Sequence, residues 1–481
     1  MNISNGLKSA VVVFCLLLVC ASPFLTAQTE GVRSSGSFEG FFPTVVAPEQ
    51  YMGIAFTNTA DFEVKVELRA LDPSGELISG ADILNPATLL VPPRGQTWAL
   101  VEDIFGVDIL PAGLARISFQ SHSAAVGTLF LIGNQESTLL GGGTARQTPL
   151  KAFVLPSISR EGELPFTTVH LFNPSVDSDL EVQLTLYDLS GKVIVSRTVA
   201  LPPQGTVVQD LATLLEVELA MFSGGYVEGS AGGEGVVAFE TFGTEQSLNL
   251  LSAQPTPLRK RSYLIPHFAV GGGFDTELNL INTDSSQSAT LLLSALDDEG
   301  NVRLSPVQIF LGPQEQSILS ISSLFGLPGD EQIVGSLRLD LQDNLLDSSL
   351  EVASVNGSVR LRSSDGRLSA SLPLFLAGDT DAFYAHIAQD LGFLTGVAVL
   401  NPQQNPVEVT VEAFDQVGTQ VGESSFTLAV GGRKAKLLLE LIPATAGQMG
   451  GYFRVRSGEE ILSFALFGDL AGESISTIPS Q

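Results

Sequence analysis

The stretch Asn173–Gly205, NPSVDSDLEVQLTLYDLSGKVIVSRTVALPPQG, holds a whole unit of antiparallel architecture. From Leu180 to Leu186 apolar and polar residues alternate strictly, the period-two pattern of a strand with one buried face. Asp188 to Gly191 then supplies a tight turn, because an Asp side chain can hydrogen-bond forward to the backbone and Gly accepts the left-handed conformation at the fourth position. A second strand follows, and Pro202-Pro203-Gln204-Gly205 turns a corner.

Working outward, the same succession recurs three more times. Asn58, Asn173, Asn282 and Asn401 each close an apolar run and are separated by 115, 109 and 119 residues. The turn Asp follows each of them after 14, 15, 15 and 14 residues, which pairs Asp72 with Gly75, Asp188 with Gly191, Asp297 with Gly300 and Asp415 with Gly418. These eight residues are the structural turns of the repeat. The corner reads Pro92-Pro93-Arg94-Gly95, then Pro202-Pro203, then Gly312-Pro313 and finally Gly431-Gly432. A period near 110 residues is far longer than that of a solenoid, so each copy should own a core.

Short alternating strands with turn signals and almost no helical periodicity give an all-β fold: four tandem antiparallel β-sandwich modules of about seven strands. The modules span 41–148, 150–256, 261–376 and 381–479. In the first, Phe62 to Leu71 is the strongest strand, with Phe62, Val64, Val66, Leu68 and Ala70 on one face and Glu63, Lys65, Glu67 and Arg69 on the other. Gly141–Pro149, Gln254–Arg261 and Ala377–Asp381 read as linkers, and Arg259-Lys260-Arg261 as a solvated basic run within one of them. Extra sequence around Asp340 to Asp365 reads as an extended hairpin of the third module.

Residues 1–27 have the form of a secretory signal peptide: one charge at Lys8, an apolar run from Ala10 to Ala21, a break at Ser22-Pro23 and a cleavage site at Leu25-Thr26-Ala27. The run is shorter than the roughly 20 apolar residues that cross a bilayer. Residues 28–40 read as a flexible leader. Both cysteines, Cys15 and Cys20, fall inside the signal, so the mature chain has no disulfide, thiol nucleophile or cysteine ligand. Lipid attachment at Cys20 is disfavoured by Val19, where a lipobox needs a small residue. The expectation is an exported protein, extracellular, cell-surface or periplasmic, with no membrane span in the mature chain.

Losing Lys8 with the signal takes the formal net charge from −28 to −29. Phosphate contacts need a basic surface, so a nucleic-acid partner is not expected and an anionic membrane surface is disfavoured for the same reason.

No chemistry converges. His122, His170, His267 and His386 fall one to a module, whereas catalysis and metal binding need ligands brought together. Gly233-Glu234-Gly235-Val236-Val237-Ala238 matches a dinucleotide fingerprint in letters only; strand-like residues flank it on both sides, which makes it a hairpin. Asp297-Asp298-Glu299-Gly300 is the most acidic turn, yet the other copies keep only the Asp and the Gly, so it reads as turn chemistry rather than a calcium loop. No cofactor, metal or enzyme activity is expected. Carbohydrate binding is the main competitor, but it favours exposed Trp or Tyr platforms, and the chain has one Trp and six Tyr against 28 Phe.

With Asn173-Pro174, Asn401-Pro402, the Leu186–Gly191 hairpin and the Leu201–Gly205 corner in view, the modules resemble the immunoglobulin-like and fibronectin-type-III-like repeats of secreted bacterial surface proteins. The resemblance covers about residues 41–479, lacks the cysteines of antibody domains, and implies spacer, adhesive or assembly roles with a protein or glycan partner. The expected arrangement is a semi-rigid rod; four modules end to end would reach on the order of 100 to 135 Å.

Overall fold

Strict alternation in the first repeat becomes a strand with one dry face: Val64, Val66, Leu68 and Ala70 are fully buried, while Lys65 and Arg69 face water. The computed structural model describes residues 38–481 except 45–49, 81, 112, 135–137, 147, 159–164, 219–223, 330, 343–351 and 390–391. The expected signal peptide, both cysteines, most of the 28–40 leader and the middle of the extra segment in the third repeat lie outside the described residues. Strand accounts for 58% and helix for 5%, so the chain is all-β and built of antiparallel sheets. No helix among the described residues is long and apolar enough to cross a membrane.

The first repeat runs β1 (Phe38–Pro43), β2 (Gln50–Asn58), β3 (Val64–Leu71), β4 (Ala87–Val91), β5 (Gln96–Leu100), a one-turn helix α1 (Val101–Phe105), β6 (Arg116–Ser121), β7 (Val126–Asn134) and β8 (Leu140–Gly143). These form two sheets, β1-β6-β3-β4 and β5-β2-β7-β8. The second and third repeats reproduce both orders strand for strand, the second adding the two-residue strand Gln254–Pro255. In the fourth, the sixth and seventh strands fuse into one strand, Tyr452–Asp469, that joins the two sheets. Each repeat therefore has eight strand positions rather than about seven.

Three local expectations change. Phe62 precedes β3 and is 44% exposed, because the strand starts two residues later than the apolar pattern implied. β1 begins at Phe38, inside the span read as a leader. The glycines of the first linker are a buried strand: Gly141, Gly142 and Gly143 belong to β8. A Cβ on Gly141 would fall 2.6 Å from Leu248 of the second repeat, and one on Gly142 would meet Leu131 (2.6 Å) and Phe130 O (2.7 Å) of the neighbouring strand as well as Ile478 of the fourth repeat (3.2 Å), so glycine is there because strands of three repeats close in on it.

Those contacts reveal the arrangement. The last strands of the four repeats pack in a closed circuit: β8 against Ser247–Ser252, that strand against Ser369–Pro373, that against Ile475–Pro479, and the last back against β8. The cores follow suit. Phe172, Val237, Phe239 and Leu248 of the second repeat belong to the first repeat's core, and Ala55 and Leu129 of the first belong to the fourth's. The described residues form one compact unit, so the end-to-end rod is corrected to a closed ring in which the fourth repeat returns to the first. Local periodicity sets the strands; it carries no information about which repeat's last strand meets which.

Candidate functional site

The eight turn residues do their expected local work. Asp72 Oδ1 accepts from the backbone of Ser74 (2.8 Å) and Glu76 (3.0 Å), and Asp188, Asp297 and Asp415 repeat this two and four residues on. Gly75, Gly191, Gly300 and Gly418 all have φ between 81° and 88°.

The structure gives the turns a second task. Each turn of one repeat docks on the corner of the next: the carbonyl of the turn's second residue accepts a backbone N–H just past that corner. The four bonds are Thr206 N to Pro73 O (2.9 Å), Gln316 N to Leu189 O (3.0 Å), Arg433 N to Asp298 O (2.9 Å) and Gln96 N to Gln416 O (2.9 Å). The last joins the fourth repeat to the first. A Cβ on any of the four turn glycines would collide with the neighbouring corner, at 2.6 Å from Gln204 O for Gly75 and 2.6 Å from Arg94 O for Gly418.

The landmark asparagines hold the corners in shape. Asn173 is buried; its Nδ2 donates to Ser178 O (2.8 Å) and Pro202 O (2.9 Å), and its Oδ1 accepts from Ser175 N (3.0 Å). Asn58, Asn282 and Asn401 make the same set. An asparagine amide brings two N–H donors and a separate carbonyl acceptor to one short side chain, which a serine or threonine hydroxyl cannot, and this explains its recurrence.

Beyond this shared lock the four seams differ. Between the first and second repeats, buried Arg116 lies 3.5 Å from the Phe172 ring centroid and donates to Gln204 O (2.9 Å). Between the second and third, Tyr226 stacks on Tyr187 and donates to Gln314 O (2.9 Å). Between the third and fourth, Arg433 bonds Asp298 (2.7 Å) and donates to His267 Nδ1, so that burial and the guanidinium hold His267 down to about 3. Between the fourth and first, Gln96 donates to Ala385 O (2.6 Å) and His386 Nδ1 (3.1 Å), and burial holds His386 at about 4. His267 and His386, which the sequence shows only as single histidines of separate modules, are thus seam residues. His170 is buried against Thr241 and held at about 4 by desolvation, while His122 bonds the Lys65 backbone at the surface.

Where the four final strands end, the repeats line a half-open cavity of about 430 Å³. Its walls are the segments 142–146, 250–255, 371–379 and 477–481, so every repeat contributes. Most of its polar groups are already used within the protein. Gln254 Nε2 donates to Gly357 O (2.6 Å), Thr477 Oγ1 to Ser371 O (2.9 Å), Ser480 Oγ to Asp379 (2.7 Å), and Gln481 binds Thr128. Besides the hydroxyls of Thr144 and Ser252, the exception is Arg146. Its backbone is clamped to Phe41 by two 3.0 Å bonds, burial lowers its guanidinium from the usual value, and that guanidinium has no hydrogen-bond or ion-pair partner among the described residues. No group of three or more His, Cys, Asp or Glu residues could hold a metal ion among the described residues.

Sequence reasoning missed this cavity because its lining was read as linker. Arg146 sits in Gly141–Pro149, Gln254 opens the second linker and Asp379 lies in the third. The basic run is not simply solvated either: Arg259 bonds Asp284 (2.9 Å), and Lys260 Nζ lies 4.6 Å from the Phe375 ring centroid. Gly232–Gly235 turns the chain (Gly235 N to Gly232 O, 3.0 Å) between Gly225–Ala231 and Val237–Thr244, but these strands lie in different sheets, so the expected hairpin is corrected to a turn that carries the chain from one sheet of the repeat to the other.

No protein-family model and no curated protein matches the chain. Among solved structures, similarity is recorded to a glycoside hydrolase family 32 structure from Bifidobacterium adolescentis (9% identity, 90% of this chain and 100% of that one, TM-score 0.15). A tetra-tandem repeat in the extending region of a large adhesion protein follows (12% identity, 93% and 98%, TM-score 0.10). The native conformation of E. coli alpha-2-macroglobulin is a third (9% identity, 90% and 28%, TM-score 0.08).

Proposed function

We propose that the protein is an exported, non-enzymatic scaffold, structural or adhesive in role, whose four immunoglobulin-like β-sandwich modules are locked into a ring that presents its outer loops to a partner at the cell surface. The observation that carries this reading is the turn-to-corner bond made four times over, including Gln96 N to Gln416 O across the seam that no chain connection crosses. Such a lock fixes module orientation, and preorganised surfaces bind without an ordering cost. A closed ring suits a platform better than a spacer.

The test is retention of the labelled mature protein on envelope preparations of the organism that makes it, with N-terminal sequencing of the exported form expected to begin at Gln28. Saturable retention that protease treatment of the envelope abolishes is the expected result for a protein partner. Absence of saturable retention would overturn the reading, as would turnover of a glycoside panel. Retention that survives protease would favour a glycan partner, the second reading, for which Trp98, Tyr51 and His386 around a pocket of about 130 Å³ are the candidate contacts.

A further inference from the structure

The axial cavity is unusual in its charge. The chain carries 52 acidic residues against 24 basic ones, yet the half-buried guanidinium of Arg146, in the cavity wall, has no ion-pair partner among the described residues. A partly buried guanidinium in so acidic a chain is ordinarily met by a carboxylate. Two hydroxyls of the same lining, Thr144 and Ser252, likewise have no side-chain partner among the described residues. Leu250, Pro373 and Phe375 supply apolar wall, and the Lys260 ammonium beside Phe375 adds positive potential. The acid in the lining, Asp379, is held by Ser480.

We propose that this cavity binds a small amphipathic organic anion, its carboxylate or phosphate head on Arg146 with Thr144 and Ser252, and its apolar body along Leu250, Pro373 and Phe375. Arginine suits such a head because its planar fork meets two oxygens at once. The volume lies in the range of small-molecule sites, and a mostly apolar wall with few polar groups is their usual composition. Because the four repeats each supply one wall, the site exists only in the closed ring. The ligand would therefore act as a fifth contact among the repeats and stabilise closure by mass action.

The experiment is calorimetric titration of the full chain with decanoate, decyl phosphate, decanol and decylamine. One saturable site for the anions, with decanol and decylamine at least tenfold weaker, is expected; the better of the two anions identifies the head group. Equal binding of decanol, or no saturable binding of either anion, would overturn the proposal on the wild-type protein alone. R146Q should lose at least tenfold in anion affinity, and A377W, which places bulk at an exposed position of the lining, should block the site, with both variants keeping the wild-type scattering profile. Wild-type anion affinity in a folded R146Q would sink the assignment of the head group.

Discussion

Gly418, at the end of a turn in the fourth repeat, is pressed against Arg94 in the first: a Cβ on the glycine would lie 2.6 Å from the Arg94 carbonyl oxygen. The glycine serves two constraints at once, a φ of 86° and the approach of another repeat's backbone. Gly472 isolates the first constraint, with φ 71° and nothing within 4 Å. Substituting Gly472 by Ala should cost about 1 kcal/mol of stability, whereas Gly418→Ala should cost about 3 kcal/mol or more because the seam must also part. Denaturant unfolding gives the costs, and a rise in radius of gyration in Gly418→Ala alone would report the opened seam.

Asn401 holds its corner through donors and an acceptor on one side chain. Asn401→Asp keeps the shape and the acceptor but faces a carboxylate toward the carbonyls of Asn405, Leu428 and Ala429. A loss of about 3 kcal/mol or more is expected, at least as large as for Asn401→Ala, since buried carbonyls left without donors each cost about 1 to 3 kcal/mol. Equal stability of Asn401→Asp and wild type at pH 7 would remove the donor from the account.

Acid should loosen the ring through its histidines. Burial depresses His170 and His386 to about 4 and His267 to about 3, below the 6.5 of an unfolded histidine. Below pH 6.5 the unfolded chain therefore binds more protons, and stability that is complete above that pH is lost as pH falls toward 4. Each histidine contributes a slope of about 1 kcal/mol per pH unit in that window. The triple variant H170Q/H267Q/H386Q should flatten the wild-type slope between pH 6.5 and 4.5, measured by urea unfolding.

Glu240 has the opposite sign. It is fully buried, accepts from Ser157 N (3.1 and 3.2 Å) and from the Ser157 side chain, and desolvation, which outweighs these bonds, raises its carboxyl well above the usual range. A raised acid stabilises below its unfolded value near 4.5, and that contribution is lost as pH rises. Glu240→Gln retains an oxygen for Ser157 and should be more stable than wild type at pH 7, with the difference vanishing toward pH 4. A difference that stays constant from pH 4 to 7 would rule out the protonation account.

The sequence made the strands and turns legible because their determinants are local: Val182, Leu184 and Leu186 alternate with polar residues, and Asp188 bonds the backbone within four residues. The docking role of the turns was not legible, since Gly191 answers a positive φ and the approach of Gln314 with the same absence of a side chain. The axial strand hid for a related reason. Gly141–Gly143 looks like a flexible linker by composition, and only the distant Leu248, Leu250 and Ile478 explain it. Arg146 drew no notice because a lone arginine becomes unusual only once it is seen unpaired in the wall of a cavity.

Three of the four seams are bridged by the chain, and the one between the fourth and first repeats is held by contact alone. Its two faces, the Asp415–Gly418 turn and the Pro92–Gly95 corner, are unlike and complementary, so each can mate with another copy of the chain as well as with its own. Closure is intramolecular and favoured at low concentration. A molecule opened at that seam would expose one donor end and one acceptor end, and head-to-tail joining of such ends gives larger rings or open filaments. Were the ring to open, this seam is where one copy of the chain would meet the next.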